Sequence, residues 1–137
     1  MRLWLAVAIG GALGALARWL VGESILAWTG PAGTIPWDTF PWGTLTVNVI
    51  GCALIGFLAP IVVTRSPWVA GFVVTGFLGG FTTYSAFAEE TFSLADRGDA
   101  AGVVLAGIYV VVTIATTAVA VALGSRFSPG NQRAVAR

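Results

Sequence analysis

Residues 76–87 read GFLGGFTTYSAF and lie at the centre of an apolar stretch that runs from about residue 68 to residue 94. A helix of this length crosses the roughly 30 Å hydrocarbon layer of a bilayer at 1.5 Å per residue. The centre is unusual, because the adjacent Gly79 and Gly80 are followed closely by two β-branched threonines, and both features weaken a helix. The pattern predicts either a break in the helix or a continuous helix that packs closely through the two glycines.

Three further stretches are long and apolar enough to span a membrane. Strands of a membrane barrel would be shorter and would alternate in polarity, which these stretches do not do. The sequence therefore predicts an all-α integral membrane protein. It has one four-helix transmembrane domain (residues 1–124) and a polar C-terminal tail (125–137). The four transmembrane helices are predicted at about 3–22, 43–64, 68–94 and 100–123.

The composition supports this class and excludes several others. Hydrophobic residues make up 57% and charged residues 9% of the chain, whereas soluble domains carry about 25% charged residues. The chain has no histidine and one cysteine, which excludes an intrachain disulfide, a zinc ribbon and Ser-His or Cys-His catalysis. A net charge of +1 gives no basic surface for nucleic acid. We expect no enzymatic activity.

Arginines set the membrane orientation only weakly. With a cytoplasmic N-terminus, five of the seven arginines lie on the cytoplasmic side and two outside. Three of those five belong to the polar tail, and without them the count is two against two. The sequence therefore predicts that both orientations occur.

Two predicted helices carry polar side chains on one face. In the second helix, Thr44 and Asn48 lie one turn apart. Asn48 either makes a hydrogen bond between helices or offers two N–H donors to a passing solute. In the fourth helix, Tyr109, Thr113 and Thr117 recur every four residues, and such a stripe of hydroxyls is typical of a polar path. Hydroxyls do not fix the sign of a permeant ion.

Charged residues are few within the predicted helices. Arg18 lies about one turn from the end of the first helix, where it either extends to the interface or has a function. Glu89 and Glu90, near the end of the third helix, are predicted to be mainly interfacial. The first helix also contains a GxxxG contact pattern, and the proline-rich segment 28–42 is predicted to be an interfacial loop.

Three stretches together resemble the Fluc (CrcB) family of small bacterial fluoride channels. They are GGALGALAR (10–18), GTLTVNVIG (43–51) and GFLGGFTTYSAF (76–87), and the resemblance extends over most of the chain to residue 123. It implies fluoride-selective passive export across the cytoplasmic membrane, which reduces fluoride toxicity. It also implies a broken third helix and a dual-topology homodimer of inverted (antiparallel) protomers, with a structural Na⁺ at the dimer interface.

The resemblance also implies roles for particular residues. Backbone carbonyls of Gly79 and Thr82 are expected to bind the Na⁺. Arg18 and Glu90 are further candidates, with Glu90 at the acidic position after an aromatic pair. Tyr84 stands where the family usually has Phe, which adds a hydroxyl to the ring. The candidate pore-lining residues are Thr44, Asn48, Tyr84, Ser85, Phe87, Tyr109, Thr113 and Thr117.

Two other functions compete with this one. A four-helix proton-coupled multidrug exporter needs a carboxylate embedded in the membrane, but the first helix carries Arg18 and both glutamates fall late in the third. A purely structural membrane subunit would explain the glycines, but it would not explain the polar stripes and the weakened centre together.

Overall fold

The chain folds into helices that pack side by side. The computed structural model describes the backbone of residues 3–29 and 40–130 and the side chains of 3–25 and 40–130. α3 comprises three pieces that follow one another directly: Pro67–Ala70, the π-helical Gly71–Leu78 and Gly79–Phe81. The other helices are α1 (Leu3–Thr29), α2 (Trp42–Val62), α4 (Ser85–Ala95) and α5 (Ala100–Phe127).

Four spans in the described residues are long and apolar enough to cross a membrane: Leu3–Ile25, Trp42–Val62, Pro67–Ala95 and Ala100–Phe127. The third span contains both α3 and α4, and the fourth is α5. The protein is thus an all-helical, multi-pass membrane protein.

The helix ends differ from the predicted ones. α1 continues to residue 29, past the predicted end at 22, and α5 continues to residue 127, past 123. Of the predicted interfacial loop, residues 30–39 lie outside the described residues, as does the end of the predicted tail, 131–137.

The third span is interrupted, as the broken alternative predicted, and the break follows directly after the helical segment that contains the two adjacent glycines. Gly79 and Gly80 are helical, and the chain leaves the helix at Thr82, whose φ of −77° and ψ of 156° are those of an extended residue. Helix resumes at Ser85. Glycine lowers the cost of unwinding but does not itself unwind a helix, so another contact must set the position of the break.

Close helix contacts hold α1 against α3. A Cβ atom added at Gly10 would fall on the Phe72 carbonyl oxygen, and one added at Gly14 would fall on the Phe77 carbonyl oxygen. The two backbones therefore approach as closely as the GxxxG pattern predicted.

The other close pair, α2 and α5, was not predicted from the sequence. A Cβ atom at Gly56 would fall on the Val121 carbonyl oxygen, and one at Gly124 would fall on that of Ala53. These two glycines lie in different helices far apart in the chain. Their packing brings the polar face of α2 next to the polar face of α5 and against the break in the third span.

Candidate functional site

The side chain of Asn48 is paired with the backbone of Thr83 at the break. The Asn48 Nδ2 donates to the Thr83 carbonyl oxygen at 2.9 Å, and the Thr83 N–H donates to Asn48 Oδ1 at 2.8 Å. Both residues are buried. The hydrogen bond between helices that the sequence allowed for Asn48 is therefore present, and it leaves one of the two amide N–H groups of Asn48 for another acceptor.

This pairing changes which backbone carbonyls have donors. In a continuous helix the Thr83 N–H would donate to the Gly79 carbonyl, and the Ala86 N–H would donate to the Thr82 carbonyl. Here the Thr83 N–H goes to Asn48, and the Ala86 N–H goes to the Thr83 hydroxyl at 3.2 Å. The Gly79 and Thr82 carbonyls therefore lose their usual helical donors.

A glycine one turn after Asn48 makes room for the break. A Cβ atom at Gly51 would overlap the methyl group of Thr82. Helix α2 thus supplies both the amide that holds Thr83 and the space into which Thr82 packs. Gly51 was not predicted to matter; its position three residues after Asn48, on the same face, is the signal that would have pointed to it.

Glu90 links three helices. Its Oε1 accepts a hydrogen bond from the Thr44 hydroxyl at 2.6 Å, and its Oε2 accepts one from the Tyr109 hydroxyl at 2.7 Å. Glu89 is exposed, whereas Glu90 is partly buried. The prediction that both glutamates are mainly interfacial stays a prediction, and the Glu90 carboxyl group also binds side chains of α2 and α5.

Three aromatic rings form a row from Tyr84 through Phe87 to Tyr109, and Phe40 packs against the last of them. The ring centroids of Tyr84 and Phe87 are 5.9 Å apart, and those of Phe87 and Tyr109 are 5.3 Å apart. Phe40 packs edge-on against Tyr109 from the other side, at 5.3 Å. Tyr84 is 80% exposed and Tyr109 is fully buried, so the row runs from the surface of the chain into the bundle.

The three hydroxyls of the α5 stripe differ in their hydrogen-bond partners. Tyr109 donates to Glu90, whereas Thr117 donates to the Thr113 carbonyl of its own helix at 2.7 Å. The Thr113 hydroxyl is buried and has no hydrogen-bond partner among the described residues. Of these three hydroxyls, that of Tyr109 is the one that donates to a side chain of another helix.

Arg18 borders a cavity beside the break. Its Nη1 lies 3.5 Å from the Thr82 carbonyl oxygen, at the limit of a hydrogen bond. The cavity has a volume of about 440 Å³, and Arg18, Thr44, Thr83 and Glu90 are among the residues that line it. Ser85 is exposed nearby, with its hydroxyl 3.3 Å from that of Thr83.

A metal site at this position depends on the backbone. No group of three or more His, Cys, Asp and Glu side chains in residues 3–25 and 40–130 is placed to hold a metal ion. The Gly79 and Thr82 carbonyls fit a hard cation such as Na⁺ by chemistry, since their helical donors are bound elsewhere. The Arg18 guanidinium lies near the second of these carbonyls.

The chain is similar to known proteins over nearly its whole length. Residues 5–125 match the family described as CrcB-like protein, Camphor Resistance (CrcB). A protein of Rhizobium leguminosarum bv. trifolii (strain WSM2304) is 46% identical over 123 residues, covering 88% of this chain and 90% of the relative. One of Rhizobium meliloti (strain 1021) is 42% identical over 124 residues, with coverage of 88% and 90%. Both are named fluoride-specific ion channel FluC.

Removing the Tyr109 hydroxyl tests the link to Glu90. Because Tyr109→Phe leaves a carboxylate oxygen without its donor, we expect the free energy of unfolding to fall by about 1–3 kcal/mol. Tyr84→Phe removes the same group from an exposed ring and should change stability little. Thermal unfolding of both variants in detergent measures the difference, and equal midpoints for the two variants would contradict the assigned role of Tyr109.

Proposed function

The chain belongs to the CrcB-like family, and we propose that it is a fluoride-selective ion channel. The observation that carries this proposal is the match to relatives named fluoride-specific ion channel, at 42–46% identity over 121–123 residues in four of them. The family consists of ion channels and not of enzymes. In the cytoplasmic membrane such a channel would export fluoride passively, driven by the membrane potential at about 2.3 kcal/mol per charge per 100 mV, and so reduce its toxicity.

The polar groups at the break suit a small, strongly hydrated anion. A selective route must replace the lost water with donors, and it must avoid a fixed positive charge that would hold the ion. The spare N–H of Asn48, the exposed hydroxyl of Ser85 and the positive ring edges of Tyr84 and Phe87 are donors of this kind.

Glu90 limits what two of the predicted pore residues can do. Thr44 and Tyr109 each have one hydroxyl proton, and each donates it to Glu90. An anion would bind these hydroxyls only by taking the place of a Glu90 oxygen. We therefore propose that Thr44 and Tyr109 act mainly by holding the Glu90 carboxyl group in place.

We propose that the functional unit is a homodimer of inverted protomers. At the break, backbone N–H and C=O groups without helical partners lie within a membrane-spanning segment. Such groups are tolerated only where protein or a water-filled cavity covers them. Gly79, Tyr84 and Ser85 are exposed on the single chain, so a second copy is a suitable cover. The near balance of arginines outside the tail favours insertion in both orientations.

A structural Na⁺ is part of the same proposal. Two carbonyls from each of two chains would give a hard cation four oxygen ligands at the interface. When bound, the ion would supply a positive charge that offsets part of the cost of a nearby anion. The Arg18 guanidinium, 3.5 Å from the Thr82 carbonyl oxygen, would have to share that carbonyl or move.

Flux through liposomes tests the selectivity. Vesicles that contain the purified protein should lose fluoride rapidly, because the route offers neutral N–H, O–H and ring-edge donors that can replace the water of the ion. Their chloride loss should match that of protein-free vesicles. Ion-selective electrodes measure both fluxes, and equal fluoride and chloride fluxes would contradict the proposed function.

The aromatic row gives a second expected outcome. If the ring edge is what the anion contacts, Tyr84→Phe should conduct at close to the unmodified rate, whereas Tyr84→Ile and Phe87→Ile should each stop fluoride flux. A slowing of Tyr84→Phe by about fivefold, equivalent to one neutral hydrogen bond, would assign the donor role to the hydroxyl instead. Unimpaired flux in the Tyr84→Ile, Phe87→Ile double variant would show that the rings only pack.

Labelling tests the assembly. A single cysteine in the 131–137 tail, placed in a Cys52→Ala background, should react with membrane-impermeant reagents from both sides of the membrane, because half of the chains are expected in each orientation. Intact and permeabilised cells provide the two measurements. A tail that reacts from one side only would rule out inverted protomers.

A further inference from the structure

We propose that Asn48 is a positioning residue for the cation site: its amide holds the Thr83 backbone outside the helix, which keeps the Thr83 N–H off the Gly79 carbonyl and leaves the Thr82 carbonyl out of the helix and available to Na⁺. This inference rests on the Na⁺ site in the proposed function. It gives Asn48 a role that does not require contact with the anion.

Two acceptors compete for the backbone N–H of Thr83. The Thr83 N–H can pair with the Gly79 carbonyl, as in a continuous helix, or with the Asn48 side chain. It donates to Asn48 Oδ1 at 2.8 Å, and the return bond from Nδ2 to the Thr83 carbonyl, at 2.9 Å, closes the pair. Because buried backbone groups must find partners, removal of the amide would drive the Thr83 N–H back to Gly79.

The packing between Gly51 and Thr82 also favours an extended backbone at Thr82. Gly51, on the same face of α2, has no side chain where the Thr82 methyl group packs. The extended backbone of Thr82 (ψ 156°) turns its carbonyl away from the helical direction. Gly79 and Gly80 are helical, and the contacts that favour the break at Thr82 and Thr83 come from Asn48 and Gly51 of α2.

An Asn48→Asp variant distinguishes a positioning role of Asn48 from contact between Asn48 and the anion. Asn48 uses one N–H and its oxygen on Thr83 and retains one N–H. Aspartate at this position keeps an acceptor for the Thr83 N–H when ionised, and when protonated it reproduces both bonds to Thr83. In neither form does it have a spare donor for an anion. Asn48→Asp should therefore lose anion contact while it keeps the break.

The experiment is a Na⁺ titration of thermal stability in detergent, with N-methylglucamine as the replacement cation at constant ionic strength. The protein should be stabilised by Na⁺. In Asn48→Leu, which makes neither bond, the Na⁺ concentration for half-maximal stabilisation should rise at least about tenfold, equivalent to about 1.4 kcal/mol. In Asn48→Asp it should stay within about threefold. Cys52→Ala, one turn further along α2, serves as the matched control and should not change it.

Fluoride flux of the same samples completes the test. Asn48→Asp and Asn48→Leu should both lose flux, so only the Na⁺ response distinguishes them. An unchanged Na⁺ midpoint in Asn48→Leu, or an equal rise in Asn48→Asp, would overturn the positioning role. If Asn48→Leu does not fold, Asn48→Ser replaces it, since one short hydroxyl cannot make both bonds.

Different results would overturn the positioning role of Asn48 and the proposed channel function. Wild-type protein that conducts fluoride but shows no stabilisation by Na⁺ would overturn the positioning role and leave the channel function standing. Wild-type protein that shows the Na⁺ response without fluoride flux would overturn the channel function, while the variants would still decide the role of Asn48.

Discussion

The paired hydrogen bonds between the Asn48 amide and the Thr83 backbone are the constraint on which the rest of the site depends. They satisfy a buried backbone N–H and carbonyl that would otherwise have to remain in the helix. Once Thr83 is held in this way, Thr82 extends, the helix begins again at Ser85, and the row from Tyr84 to Phe87 can contact Tyr109. A side chain of α2 thus determines the shape of the third span.

Glu90 is the second organising group, and it shows how a channel for an anion can contain a carboxylate. Its two oxygens are bound by Thr44 and Tyr109, from two different helices. Hydrogen bonds to a charged group are stronger than neutral ones, so the arrangement both ties α4 to its neighbours and fixes the position of the negative charge. The contacts of Glu90 with α2 and α5 place a carboxyl group between helices, which weakens the sequence-based argument against a proton-coupled exporter. Family membership decides against that alternative.

Much of the fold could be predicted from the sequence, because apolar length and the GxxxG pattern are local properties. The four spans and the close approach at Gly10 and Gly14 follow from them. The position of the break could not be predicted, because it depends on a contact between Asn48 and Thr83, 35 residues apart. The same holds for Glu90, whose partners lie in other helices. The pore roles of Thr113 and Thr117 stay predictions.

Backbone chemical shifts measure most directly whether Asn48 holds the break open. In isotope-labelled protein, the ¹³Cα and ¹³C′ shifts of Thr82 should be those of an extended residue in the wild type. In Asn48→Leu they should move to helical values, together with the carbonyl shift of Gly79. An extended Thr82 in Asn48→Leu would show that the break persists without the amide and would contradict the central claim.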